Sequence, residues 1–356
     1  MRGSIRFIRV FGIDIDIHIT FFLLLGIFFL FLGINGLILI LGVFLFVTIH
    51  ELCHGLAARY FGLRVTKITL LPIGGIASMS EMPTKPYQEL IISLAGPLSN
   101  ALIVIIFYFP LHALLGEETL MYPIRVLTGQ AEHTGQFNVI AHIYWINLVL
   151  AVFNMIPAFP VDGGRVLRAI LSYRMGRKAA TQVAVRLGHI FALLFAYVGI
   201  VYGHIFLLLI AVFIYMAASG EGMQVEVSET IKNYFVHDIL TREFVFISKD
   251  TPLSKALELI FHTHQEDFPV VEDGHLVGML TRREVIQGLH ERSKDTHAEV
   301  IMRTDIPPVS VKTNLDIVRK LMQKHNAGAI PVERNGKVVG VVTQGDINKV
   351  YMIAHK

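Results

Sequence analysis

The segment Val47-Thr48-Ile49-His50-Glu51-Leu52-Cys53-His54-Gly55 carries the clearest chemical signal in the chain. Two histidines four residues apart project from one face of a helix. Imidazoles at that spacing can hold one Zn2+. Glu51, adjacent to the first of them, is placed to act as general base on an attacking water, which is hydrolytic metal chemistry. The surrounding run is apolar, and a charged side chain at a helix centre costs about 2.5–3.5 kcal/mol on the insertion scale. Glu51 therefore needs a partner or a wet cavity. A catalytic zinc usually has three protein ligands. The candidate for the third is Asp162, in Asn154-Met155-Ile156-Pro157-Ala158-Phe159-Pro160-Val161-Asp162-Gly163-Gly164-Arg165. Pro157 and Pro160 stop a helix, Gly163-Gly164 permit tight turning, and a helix restarts near Arg165. Irregular backbone at membrane depth is tolerated only where it is buried or lines a cavity. The plain alternative for Asp162 is a helix N-cap. Its company with His50, Glu51 and His54 favours the ligand.

These residues must be positioned by apolar elements. Of 356 residues, 53% are hydrophobic and only 17% charged, against about 25% charged in ordinary soluble domains. That excludes disorder and argues against a wholly soluble protein. One cysteine, Cys53, rules out an intramolecular disulfide framework and a four-cysteine zinc site. Lys and Arg (31) nearly balance Asp and Glu (28), so nothing points to nucleic acid. Composition changes sharply near Gly220. Residues 1–220 read as a membrane domain, 221–232 as a polar, acidic linker, and 233–356 as a soluble domain.

Six segments approach the roughly 20 apolar residues of a spanning helix. They lie near Ile17–Ile34, Leu37–Tyr60, Leu90–Leu115, Phe137–Pro157, Thr181–Val201 and Tyr202–Ala218, with Pro97 and Pro110 as expected kinks in the third. Asn35-Gly36 and Tyr202-Gly203-His204 read as turns. Arg2, Arg6 and Arg9 precede the first run, but a small-residue cleavage site is not evident, so the segment is expected to be retained. Basic residues collect before the first span, after the second (Arg59, Arg64, Lys67, Lys85) and after the fourth (Arg165, Arg168, Arg174, Arg177, Lys178). The connection 116–136 has only Arg125 among Glu117, Glu118 and Glu132. With six spans all basic connections share one side, which puts both termini and the soluble domain in the cytoplasm of a multi-pass cell-membrane protein. His18, His112, His133, His142, His189 and His204 have no motif partner and stay outside the metal site.

The segments HELCH, LLPIGG at 70–75, SLAGPLSN at 93–100 and NMIPAFPVDGGR at 154–165 together resemble the site-2 protease family, the zinc intramembrane proteases. The resemblance covers the whole membrane domain in order. It implies His50, His54 and Asp162 as zinc ligands and Glu51 as catalytic acid/base. Asn154 matches the family asparagine that holds substrate backbone or stabilises the oxyanion. Cys53 replaces the glycine common at its position and reads as a packing residue. The reaction implied is peptide hydrolysis in single-span membrane substrates within the bilayer. Lys67–Met79 reads as short strands around a Pro-Gly turn. Two roles stand open for it: strand pairing with unwound substrate, and a structural hairpin at the cytoplasmic mouth.

The tail repeats itself at an offset of 62 residues: Phe268-Pro269-Val270-Val271 with Ile330-Pro331-Val332-Glu333, and Leu276–Thr281 with Val338–Thr343. Asp273-Gly274 and Asn335-Gly336 are hairpin turn signals. Each copy, about 233–292 and 296–356, reads strand, helix, strand, turn, strand, helix. This resembles a cystathionine-β-synthase-type (CBS) pair, which implies an adenine nucleotide between the copies. The Ser/Thr-x-x-Asp signature is met by Thr343 and Asp346. The first copy has Thr281 and Glu284 and departs from it. For Thr343 a helix N-cap is the alternative. Pairing within the chain and pairing across a homodimer both stand.

The fold class expected is thus an α-helical polytopic membrane protein of about six spans with a short membrane-dipping β element, followed by an α/β CBS pair. A rival reading from another class is a CBS-regulated ion transporter using His50, Glu51, His54 and Asp162 as an ion pathway. A transport site gives no reason for a glutamate between the histidines.

Overall fold

Apolar runs in lipid can satisfy their backbone only as helices or closed barrels, and this chain builds helices. The computed structural model describes residues 3–72, 74–79, 83, 85–127, 138–241, 244–263 and 265–354. Arg2, Ile73, Glu132, His133 and Phe137 lie outside the described residues. Two compact units divide between Met223 and Gln224.

The first unit opens with two strands, β1 (Ser4–Val10) and β2 (Ile13–His18), before helix α1 (Ile19–Tyr60). The first apolar segment therefore becomes helical at Ile19 rather than Ile17. Residues 13–18 alternate isoleucine with Asp or His, a period-two pattern that suits a strand. Gly33 (φ 59°) breaks α1 into two arms. The rings of Phe21 and Phe44 stand 4.6 Å apart, whereas one straight helix would separate them by about 35 Å. The arms are thus a hairpin, and they correspond to the first two apolar segments.

Strands β3 (Val65–Leu71) and β4 (Gly74–Met79) follow. They pair antiparallel, with Leu71 opposite Gly74, as the Pro-Gly turn predicts. β3 also pairs in parallel with β2, giving a sheet of order β1-β2-β3-β4. Parallel neighbours need a long crossover, and the α1 hairpin is that crossover. Ile13, Ile15, Val65, Ile68 and Leu70 form the buried face of this sheet with Phe44 and Ala58 of α1.

Helix α2 (Pro86–Leu127) breaks at Gly116 (φ 75°), and Pro97 and Pro110 lie inside the helix. α3 (Val139–Asn154) follows, and Trp145 Nε1 donates to the Leu120 carbonyl at 2.6 Å. α4 (Asp162–Val201) breaks at Gly176 (φ 76°). α5 (Ile205–Ile231) begins after the turn at Tyr202-Gly203. Its range ends at Ile231, so linker residues 221–231 are helical. That stretch has no proline and a single glycine, Gly222, and Glu, Met and Gln favour the helix against the weaker Val, Ser and Thr. Among the described residues four helices, α1, α2, α4 and α5, are long and apolar enough to cross a membrane.

The second unit contains the repeat. After α6 (Val236–Ile239), the first copy holds α7 (Leu253–His262), β5 (Phe268–Glu272), β6 (His275–Leu280) and α8 (Arg282–Glu291). The second holds β7 (Val309–Ser310), α9 (Leu315–His325), β8 (Ala329–Arg334), β9 (Lys337–Thr343) and α10 (Gln344–Ala354). The first strand of copy one shrinks to a bridge between Ile247 and Val270. Leu253, Ala256, Phe268, Val270, Leu280 and Val285 are fully buried, and so are Leu315, Val318, Ile330, Val332, Val342 and Ile347. These are the same six positions 62 residues on, so the offset seen in the sequence is a repeat of cores. Both hairpin turns carry positive φ at their two central residues, 52° and 85° at Asp273-Gly274 and 51° and 78° at Asn335-Gly336. That is the type I′ geometry of a two-residue turn.

Candidate functional site

The HExxH residues lie on the second arm of α1, and Asp162 opens α4. The N-cap of α4 is Val161, and it makes no side-chain cap. Asp162 is therefore in the first turn, with its carboxylate free for other work. His50 Nε2 and His54 Nε2 stand 3.2 and 3.1 Å from Asp162 Oδ2, and 3.1 Å from each other. The helix spacing supplies the histidine pair; the loop 155–161 delivers the carboxylate. That loop can fold tightly because a Cβ on Gly163 would sit 2.2 Å from the Ile156 carbonyl oxygen. Its backbone is satisfied in part by Phe159 N–H donating to the Ala184 carbonyl at 3.2 Å.

The donor set fits a small cation. His54 Nδ1 donates to the Ile92 carbonyl at 2.6 Å, and His50 Nδ1 donates to Asn100 Oδ1 at 3.1 Å. A carbonyl can only accept, so these bonds place the ring protons on Nδ1. Both Nε2 atoms then present lone pairs toward a carboxylate oxygen. Three such atoms this close repel unless a positive centre lies among them. Zinc ligands at about 2.0–2.1 Å in tetrahedral geometry are about 3.3 Å apart, close to the 3.1–3.2 Å found. Among the described residues one other His/Asp/Glu cluster has the reach for an ion, Asp250, His297 and Glu299, and all three of its residues are exposed.

A cavity of about 460 Å³ opens on this triangle and is lined also by Glu51, Asn154, Arg165 and residues 74–77 of β4. All five membrane-domain residues expected at the site are thus brought together. β4 is an edge strand of its sheet. It lies so close that a Cβ on Gly75 would meet Glu51 Cγ at 2.6 Å.

Three contributors escaped the reading of side-chain chemistry. Asn100, fully buried on α2, orients His50. The Ile92 carbonyl orients His54. Gly96 presses on both imidazoles: a Cβ there would lie 2.3 Å from His54 Nε2 and 2.7 Å from His50 Nε2. The segment SLAGPLSN contains Gly96 and Asn100, so the signal was present without its meaning. Behind the site, Arg168 is buried against Glu89 and Phe159, its guanidinium carbon 4.8 Å from the Phe159 ring centre. Glu221 of α5 lies 3.4 Å from both Arg165 and Arg168.

In the second unit, Thr343 and Asp346 hold each other. Thr343 Oγ1 donates to Asp346 Oδ2 at 2.7 Å and accepts from Asp346 N–H at 3.2 Å. Thr343 N–H also donates to Asp346 Oδ2 at 3.1 Å. This is a capping box at the start of α10. At α8 the Thr281 hydroxyl donates to Glu284 Oε2, but Thr281 makes no side-chain cap. Thr241 Oγ1 reaches Asp346 Oδ2 at 3.2 Å. Asp267 accepts from the Arg282 N–H at 3.1 Å. Burial raises its carboxyl above the usual range, against the N–H groups of Arg282, Gly328 and Ala329, which lower it. Since Gly328 and Ala329 belong to the second copy, Asp267 ties the two copies together.

Comparison with known proteins agrees with this geometry. The model of peptidase family M50 matches residues 38–197, and the CBS domain model matches residues 236–291 and 298–353. Zinc metalloprotease MJ0392 of Methanocaldococcus jannaschii is 33% identical over 362 residues, covering 99% of this chain and 97% of that protein. Stage IV sporulation protein FB of Bacillus subtilis is 26% identical over 151 residues, 42% of this chain and 46% of that protein. Among solved structures, the site-2 protease from Methanocaldococcus jannaschii matches with 35% identity and a TM-score of 0.44, covering 62% of this chain and 95% of that one. These relatives do not favour the transporter reading. The chain belongs to peptidase family M50, the site-2 proteases, as a multi-pass membrane zinc metalloprotease carrying a CBS domain pair.

Proposed function

We propose that His50, His54 and Asp162 hold the catalytic zinc, that Glu51 moves the protons, and that the substrate is a single-span membrane protein entering as an extended strand. The observation that carries this is the triangle of two Nε2 atoms and one carboxylate oxygen with 3.1–3.2 Å edges, each imidazole oriented from behind. Zinc, when bound, polarises the scissile carbonyl and acidifies water. Glu51 takes a proton from the attacking water on its carboxylate and returns it to the leaving amide nitrogen. Asn154, at the C-terminal end of α3 beside the cavity, donates from Nδ2 to substrate carbonyl oxygen. A substrate helix must unwind before attack, and its freed backbone groups need partners. The β4 edge offers them by strand addition, and Gly75 lets that edge approach the base.

The basic connections argue for both termini and the CBS pair in the cytoplasm, with six crossings, α1 supplying two. At the CBS pair the ligand is an adenine nucleotide: Thr343 donates to phosphate and Asp346 accepts from ribose hydroxyls. Both would have to exchange capping bonds for ligand bonds. A homodimer is the assembly in which two such pairs would meet.

Purified chain should carry one zinc and cleave a single-span model substrate, and Asp162→Ala should lose both. Retention of full zinc by Asp162→Ala would remove it from the ligand set. Calorimetry of the full chain with AMP and ATP should show binding that Asp346→Ala abolishes. Equal heats from both proteins would end the nucleotide reading.

A further inference from the structure

The sheet that ends at the catalytic cavity with β4 ends on its other side with β1, and β1 is unusual. Phe7 is 71% exposed, Phe11 at the hairpin tip is 71% exposed, and Ile5 and Ile8 on either side of Phe7 are exposed as well. In register, Ile5 and Ile8 lie opposite Ile17 and Ile15, and Arg6 and Arg9 opposite Asp16 and Asp14. Side chains alternate across a sheet, so one face continues the apolar surface of β2 and the other is ionic. Arg6 Nη2 lies 2.7 Å and Arg9 Nε 3.5 Å from Asp14.

The tip is stranger. Phe11 (φ 49°) and Gly12 (φ 77°) form the two-residue turn. Asparagine or glycine suits the first position; a bulky aromatic there is strained. Phe11 is 71% exposed, so little burial of its ring offsets this. Its carbonyl instead accepts from Arg59, in the last turn of α1. The tip is thereby fixed where a spanning helix ends.

Length places the start of the first arm inside the boundary layer. The first arm of α1, Ile19 to Gly33, is about 22 Å long at 1.5 Å per residue, while the hydrocarbon layer is about 30 Å thick. β2 joins this arm directly at His18, so the sheet meets the difference.

We propose that the β1 edge lies in the lipid headgroup layer, with Ile5, Phe7, Ile8 and Phe11 toward the acyl chains and Arg6 and Arg9 toward anionic phosphate. It anchors the sheet whose opposite edge faces the catalytic residues. A second copy is the competing occupant of an edge strand, but the bulge at Phe7 and the two arginines are features that deter edge pairing. Arg6 and Arg9 share one carboxylate, leaving one net positive charge, which corresponds to about fivefold preference for anionic over zwitterionic lipid.

The test uses Phe7→Trp and Phe11→Trp in the full chain, with the parent and its single Trp145 as background. The probes are nanodiscs of phosphatidylcholine containing brominated phosphatidylglycerol or brominated phosphatidylcholine at equal fraction. The added tryptophan should emit to the blue, lose most of its intensity to bromines at the upper acyl carbons, and resist aqueous acrylamide. Brominated phosphatidylglycerol should quench more strongly, and Arg6→Gln with Arg9→Gln should abolish that difference. Phe11→Asn, which suits the turn better, should hold zinc and melting temperature while lowering cleavage in bilayers more than in detergent. A water-like spectrum quenched by acrylamide would overturn the proposal. So would a change from dimer to monomer in Phe11→Asn without lipid quenching in the tryptophan variants.

Discussion

Substituting Gly96 by alanine adds one methyl group at the most crowded place in the site. The new Cβ would lie 2.3 Å from His54 Nε2, about 1 Å inside ordinary van der Waals contact, and 2.7 Å from His50 Nε2. Both imidazoles are held from behind by Ile92 and Asn100, so neither can retreat without losing that bond. Metal sites tolerate ligand displacements of only about 0.2 Å. Loss of an outer-shell partner alone costs about 10–100-fold in metal affinity; a displaced ligand should cost at least the upper end of that range. The helix itself has no reason to suffer, since alanine exceeds glycine in helix interiors by about 1 kcal/mol. That gain offsets part of the roughly 1–3 kcal/mol expected for overpacking. Gly96→Ala should therefore melt near the parent as metal-free protein yet bind zinc about 100-fold more weakly. Competition with a chromogenic zinc chelator in detergent measures this, with Gly26→Ala as control because a Cβ there meets nothing within 4 Å. Zinc affinity within threefold of the parent would refute the reasoning.

Other expectations follow from the same contacts. Asn100→Ala should lower zinc affinity about 10–100-fold with little loss of fold, read by the same competition. Arg168→Met strands Glu89 in a buried site and should destabilise by about 3–5 kcal/mol; adding Glu89→Gln should recover part of it in thermal melts. In the second unit, burial raises the Asp316 carboxyl, but bonds from Lys320 and Arg319 outweigh it and hold the group below its ordinary range. A depressed folded value means stability present above the unfolded value, about 3.9, and lost as pH falls through the folded one. The unit's melting temperature should thus drop on acidification below about pH 4, and Asp316→Asn should flatten that drop.

The chemistry was legible because it is written locally. His50, Glu51 and His54 sit within one turn and a half of one helix, and Asp162 stands in a loop whose prolines and glycines announce irregular backbone. The repeat was legible because its cores recur at identical spacing. Contacts across the fold were less so. Asn100 and Gly96 reach the histidines from a different helix, and no spacing rule links residue 100 to residue 50. Arg168 counted only as one of the basic residues after the fourth apolar segment, and its partner Glu89 is set by how α2 and α4 pack. The β1–β2 hairpin was available in the alternation Ile13-Asp14-Ile15-Asp16-Ile17-His18, yet the long apolar run after it drew the eye toward a helix. The acidic stretch after Gly220 is where the two units divide, as the change of composition suggests, but its backbone is helical because no proline interrupts it.

The central claim is that Glu51 moves protons at a metal it does not bind. The direct measurement is Glu51→Gln, which keeps the shape and removes the base, assayed in detergent on a single-span substrate with zinc quantified in the same sample. The account predicts one zinc per chain, unchanged melting and no cleavage. Cleavage at a rate near the parent's, or loss of zinc together with activity, would contradict it.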